Sequence, residues 1–102
     1  MDERPLLFHP EARQDLVDAI EWYAERSPNA ARAFQEAVKS AGLAISKAPE
    51  LWPSYLLGTR RYLLKRFPFA VVYRLTNEQI QIVAVAHGSR RPGYWAERRF
   101  EQ

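Results

Sequence analysis

The run Ile80-Gln-Ile-Val-Ala-Val-Ala86 constrains this chain more than any other segment. It is rich in β-branched residues and apolar on both faces beyond Gln81, so it reads as a strand that needs cover above and below. A strand covered twice sits inside a sheet, and the remaining chain must supply its neighbours and at least one packed layer. Phe69-Ala-Val-Val-Tyr-Arg-Leu75 is a second such strand, joined to the first by the polar hairpin loop Thr76-Asn-Glu-Gln79. Another strand is expected at 61–67. Leu6-Leu-Phe-His9, stopped by Pro10, reads as a short opening strand.

Between the opening strand and the hairpins lie two helical patterns. From Pro10, the apolar residues Ala12, Leu16, Ala19, Ile20 and Tyr23 recur at helical spacing, with Glu11, Arg13, Asp15, Asp18, Glu21 and Glu25 read as a wet, mainly acidic face. That helix ends near Arg26. Ser27 is placed to cap a second helix and Pro28 to begin it, so the connection is short and the helices form an antiparallel hairpin. In the second helix Ala31, Phe34, Val38, Ala41 and Ile45 make the buried stripe, which stops before Pro49. Residues 49–58 hold prolines and a glycine among Leu51, Trp52, Tyr55, Leu56 and Leu57, the pattern of an ordered loop packed by its own side chains. The order β-α-α-β-β-β predicts an α+β fold, a helix hairpin packed on a small, mostly antiparallel sheet. Residues 1–102 form a single domain in this reading, since a chain of this length buries one core.

Charge is unevenly placed. Residues 1–57 carry six Lys/Arg against nine Asp/Glu, a net −3, whereas residues 58–102 carry nine against three, a net +6. A basic half on a small domain predicts a polyanionic partner, nucleic acid or an acidic protein segment. The chain has no cysteine, which excludes disulfides, thiolate chemistry and sulfur-ligated zinc. The N-terminus opens with acidic residues and a three-residue apolar run, unlike a secretory leader, and no stretch approaches a membrane span, so the expected location is the cytoplasm, with no membrane partner.

The central strand runs directly into His87-Gly-Ser-Arg-Arg-Pro-Gly-Tyr-Trp95. Arg90 and Arg91 can fork onto phosphate or carboxylate, and the Tyr94 phenol can donate a hydrogen bond or move a proton. The structural alternative pairs the arginines with the acidic helices and uses Tyr94 and Trp95 to pin the tail to the sheet. An imidazole can exchange protons at cellular pH, which makes His87 a candidate for acid–base work; at a strand end it equally suits tethering a turn. Arg60, Arg61, Lys65, Arg66 and Arg74 extend the basic surface as contact candidates, joined by Trp95. Across 61–67, alternation sets Lys65 on the face of Arg61 and Arg66 on that of Tyr62. Two histidines without a local carboxylate motif predict no metal site, and no glycine loop or nucleophile elbow predicts a cofactor.

The helix pair followed by three strands and an arginine-rich strand end resembles the RelE/ParE superfamily of toxins from type II toxin–antitoxin systems over nearly the whole chain. Two branches are in view. In the RelE-like ribonucleases an arginine just past the last strand and a tyrosine soon after belong to the catalytic set. That similarity carries over to Arg90 or Arg91 and to Tyr94, with His87 as a further candidate. The basic residue those enzymes carry early in the preceding strand is replaced by the apolar Phe69-Ala-Val-Val-Tyr73, and their lysine-rich strand is thinned to Lys65 and Arg66. The run Ala84-Val-Ala-His-Gly-Ser-Arg-Arg-Pro92 instead resembles the ParE-like branch, known for poisoning DNA gyrase. The resemblance therefore implies a growth-inhibiting toxin, associated with plasmid stabilization and neutralised by a cognate antitoxin. Its implied target is DNA gyrase; the alternatives are ribosome-dependent cleavage of messenger RNA, or a fold that kept antitoxin binding and lost toxicity.

Overall fold

A computed structural model describes residues 2–101. The chain runs through β1 (Leu6–Phe8), α1 (Pro10–Arg26), α2 (Pro28–Lys47), a 3-10 turn (Leu56–Gly58), β2 (Arg60–Leu63), β3 (Phe69–Leu75) and β4 (Ile80–His87). The four strands make one sheet in the order β1-β4-β3-β2, with β1 parallel to β4 and the other pairs antiparallel. The α+β architecture and the inner position of the Ile80 strand are those its apolar pattern predicts.

A single residue separates the helices. The Ser27 N–H donates to the Tyr23 carbonyl at 2.7 Å and closes α1, while its Oγ accepts from the Ala30 N–H at 3.2 Å and opens α2. Pro28 fits at the start of α2, where its missing N–H costs nothing. His9 caps α1 with its ring, Nδ1 accepting from the Glu11 N–H at 3.0 Å. The predicted stripe Ala31, Phe34, Val38, Ala41 and Ile45 is the buried face of α2. Phe34 anchors an aromatic cluster, with ring centroids 5.2 Å from Tyr23, 5.3 Å from Phe67 and 4.9 Å from Phe69.

Both faces of the sheet are covered, by different means. The helices and the inward side chains of β3 and β4, among them Val71, Tyr73, Ile80, Ile82 and Val85, form the larger core. On the opposite face Ala70, Val72, Val83 and Ala84 pack against Trp95, with Tyr55, Tyr94 and Phe100 around them. The segment after β4 therefore serves as the second layer, folding back through hydrogen-bonded turns from Arg91 to Arg98.

The strand pairing contains one irregularity that the apolar run conceals. Tyr73 pairs with Ile82 and Val72 with Ala84, leaving Val83 as an extra residue, a β-bulge. Consecutive residues Val83 and Ala84 accordingly both belong to the second core, and Val85 returns to the helix side.

The strand expected at 61–67 is shorter. β2 ends at Leu63, and Lys65 and Arg66 lie exposed in the turn that follows. Phe67 leaves the strand direction to join the Tyr23–Phe34 cluster, and Pro68 has no N–H to continue a ladder. The alternation that paired Lys65 with Arg61 and Arg66 with Tyr62 thus does not apply.

Candidate functional site

Because β1 is only three residues long, its pairing with β4 stops at Phe8 and Ile82, followed by one bond from the His9 N–H to the Ile82 carbonyl at 2.9 Å. Beyond that point two side chains stand in for the missing strand. Arg98 Nη1 donates to the Val83 carbonyl at 3.0 Å, and Asp15 Oδ2 accepts from the Val85 N–H at 3.1 Å. The two side chains also bind each other, Nη1 to Oδ2 at 2.7 Å and Nη2 to Oδ1 at 3.1 Å. They are only 10% and 11% exposed, a setting in which an ion pair needs every remaining donor and acceptor satisfied.

Tyr94 completes the group. Its hydroxyl donates to the same Asp15 Oδ2 at 3.1 Å, and its ring lies between two guanidiniums, Arg90 at 3.8 Å and Arg98 at 5.1 Å from the centroid. Burial pushes the phenol up to about 12, and the Asp15 carboxylate acts in the same direction by disfavouring a second negative charge.

At the end of β4, His87 Nδ1 accepts from the Ser89 N–H at 2.9 Å and lies 2.8 Å from Ser89 Oγ, while the ring stands edge-on to Phe69 at 4.9 Å. The imidazole tethers the turn. The Gly88 N–H adds a bond to the Pro68 carbonyl at 2.7 Å, fixing the turn against the β2–β3 connection. Arg90 and Arg91 project outward from it, and among the described residues neither forms an ion pair.

A cleft of about 360 Å³ opens between this turn and β2. Arg61 stands on its far rim, its guanidinium 4.2 Å from the centroid of the Tyr55 ring, and Ala70, Val72 and Ala86 are among its apolar lining. Across Arg90 and Tyr94 a second groove of about 450 Å³ runs along α1 past Asp15, Asp18 and Trp22.

The fold therefore gathers His87, Arg90, Arg91, Tyr94 and Arg61 at one end of the sheet and disperses the other candidates. Arg60 Nη1 donates to the carbonyls of Glu50 at 3.1 Å and Trp52 at 2.7 Å, holding the loop before β2. Arg74 pairs with Gln81 at the end of β3 remote from His87. Lys65 and Arg66 border a different groove, against α2. Trp95 is 2% exposed and belongs to the second core, so it has almost no surface to offer a partner. Asp15 and Arg98 are absent from the sequence-derived candidates. Asp15 lies three residues after Ala12 and four before Ala19, both buried, so its place on the inner stripe of α1 was readable even though its charge argued for the wet face. Among the described residues no group of three His, Cys, Asp or Glu side chains is placed to hold a metal ion. Nor is any helix long and apolar enough to cross a membrane.

The profile of the ParE toxin of the type II toxin–antitoxin system parDE matches residues 6–92. The chain belongs to the ParE toxin family. It is 32% identical over 90 residues to Toxin ParE2 of Mycobacterium tuberculosis, from strains CDC 1551 / Oshkosh and ATCC 25618 / H37Rv alike, a match covering 87% of this chain and 86% of each relative. A chain of the chromosomal ParDE toxin–antitoxin system from P. aeruginosa shares the fold, with a TM-score of 0.72 over 82% of this chain and 95% of that one, at 24% identity. The family match ends at Pro92, so in this ParE-type toxin the arginine turn lies inside the matched region while Tyr94, Trp95 and Arg98 lie beyond it.

Proposed function

We propose that this ParE-type toxin arrests growth by binding and inhibiting DNA gyrase, and that a cognate antitoxin neutralises it. The arginine turn is a contact surface in this reading, with Arg90 and Arg91 supplying binding energy rather than chemistry. The observation that carries it is the engagement of Tyr94. A ribonuclease of this fold needs a group that exchanges a proton near the working pH. The Tyr94 hydroxyl is instead committed to Asp15, and burial holds its proton to about 12. His87 has Nδ1 occupied by the Ser89 tether, so RNA cleavage would have to rest on its Nε2 alone. The arginines beside them make no ion pair among the described residues, as suits groups waiting for an anionic partner.

The test is a supercoiling assay with purified gyrase, run beside incorporation of labelled precursors into DNA and protein within minutes of inducing the toxin. Inhibition of supercoiling and an early fall in DNA synthesis, both reversed by the antitoxin, are expected. Untouched supercoiling at high toxin excess overturns the gyrase reading. New transcript ends in translated messages, abolished by His87→Ala, would establish RNA cleavage instead.

A further inference from the structure

The cleft between Arg61 and the arginine turn is cationic. Three guanidiniums, those of Arg61, Arg90 and Arg91, surround it, and none of them is in a salt bridge among the described residues. Asp15, the carboxylate that the Tyr94 hydroxyl binds, is already held by Arg98. Two of the three are held in place without being neutralised, Arg61 over the Tyr55 ring and Arg90 over the Tyr94 ring. Stacking restrains a long side chain and leaves its N–H fork free, so less freedom is lost when an anion arrives.

The lining between the arginines is not that of a nucleic-acid groove. A single strand is held by bases stacked on open aromatic faces. Here Tyr55 lies beneath Arg61, Tyr94 lies between Arg90 and Arg98, and Trp95 is buried at 2% exposure. Between the arginines Ala86 is a small, partly buried apolar side chain that leaves room for an incoming apolar group, and Leu63 on the rim is 60% exposed. A volume of about 360 Å³ holds a few side chains rather than a folded element.

We propose that this cleft is the toxin's target-recognition site and takes an extended, acidic–apolar segment of the gyrase protein. In it, carboxylates lie on Arg61, Arg90 and Arg91, and an apolar side chain rests against Ala86 and Leu63. The inference rests on the gyrase reading and adds to it Arg61, which comes from a different strand, and the chemistry of the segment recognised.

The experiment measures the affinity of purified gyrase, and separately of the cognate antitoxin, for the wild-type toxin, Arg61→Glu and Arg91→Glu, with and without DNA. Arg91 is exposed and its side chain forms no hydrogen bond or salt bridge among the described residues, so its variant guards against loss of folding at Arg61. Each reversal is expected to weaken gyrase binding at least about tenfold, with antitoxin affinity held within about twofold and no need for DNA. Full gyrase affinity in both variants overturns the cleft assignment alone. Loss of antitoxin affinity with gyrase binding intact gives the cleft to the antitoxin, and a loss seen only with DNA present makes phosphate the anion; either outcome overturns the proposal. Absence of gyrase binding by the wild-type toxin removes the gyrase reading and this inference together.

Discussion

Asp15 and Arg98, separated by 83 positions, meet with Nη1 2.7 Å from Oδ2 and Nη2 3.1 Å from Oδ1, and between them they bind the β4 backbone on either side of Ala84. The pair thus joins the first helix, the central strand and the C-terminal segment at one point. Cutting either half leaves the other charge poorly solvated against unpaired backbone.

Arg98→Ala is therefore expected to destabilise the fold by about 3 kcal/mol. Urea unfolding measures it. A loss under about 1 kcal/mol would rank the pair with solvent-exposed ion pairs, against the burial described above.

Tyr73 and Tyr94 give the protein an alkaline weakness. Burial raises both phenols to about 12, with Arg60 opposing the shift at Tyr73 and Asp15 adding to it at Tyr94. An unfolded tyrosine ionises near 10, so the folded state holds the proton longer. This contribution to stability is complete below about pH 10 and is lost as pH rises toward 12. Thermal midpoints across that interval should fall, and Tyr94→Phe should make the fall shallower; an unchanged slope would show that Tyr94 does not contribute.

The Tyr73 hydroxyl also donates to the Pro49 carbonyl inside the core, fastening the loop that follows α2. Tyr73→Phe should cost about 1 kcal/mol. Limited proteolysis reads the same event locally, with faster cleavage expected between residues 49 and 58 and none gained within α1.

Gly93 sits at φ +83° where the chain turns back toward the sheet. A Cβ there would meet only the Leu56 side chain at 4.0 Å, so the objection to alanine is backbone strain rather than crowding. Gly93→Ala should destabilise by about 1 kcal/mol in equilibrium unfolding. An alanine variant as stable as the wild type would mean that the turn tolerates an ordinary residue.

Elements with local chemical signals were legible in the sequence. Ser27 and Pro28 mark the break between the helices, the Ala31–Ile45 stripe marks a buried face, and the two-sided apolarity of 80–86 marks an inner strand. Features decided by distant contacts were not. The end of β2 depends on Phe67 finding the aromatic cluster on the helices, while Tyr62 and Leu64 continue a strand-like alternation past the true boundary. At the site, His87, Arg90, Arg91 and Tyr94 were readable as one run because they follow one strand. Arg61 joins them only through the pairing of β2 with β3; Asp15 is marked only by its helical spacing from Ala12 and Ala19, and Arg98 by no neighbouring residue.

The extra residue at Val83 acts as a phase change within one strand. Its upstream half keeps the parity that seats Ile80 and Ile82 against the helices, and its downstream half is offset so that Val85 and His87 share the side of Phe69. Regular pairing of the same residues, with Val83 opposite Val72, would exchange the roles of Ala86 and His87, sending the imidazole toward the buried tail and the alanine toward the aromatic cluster. The bulge thereby sets the face from which the arginine turn departs.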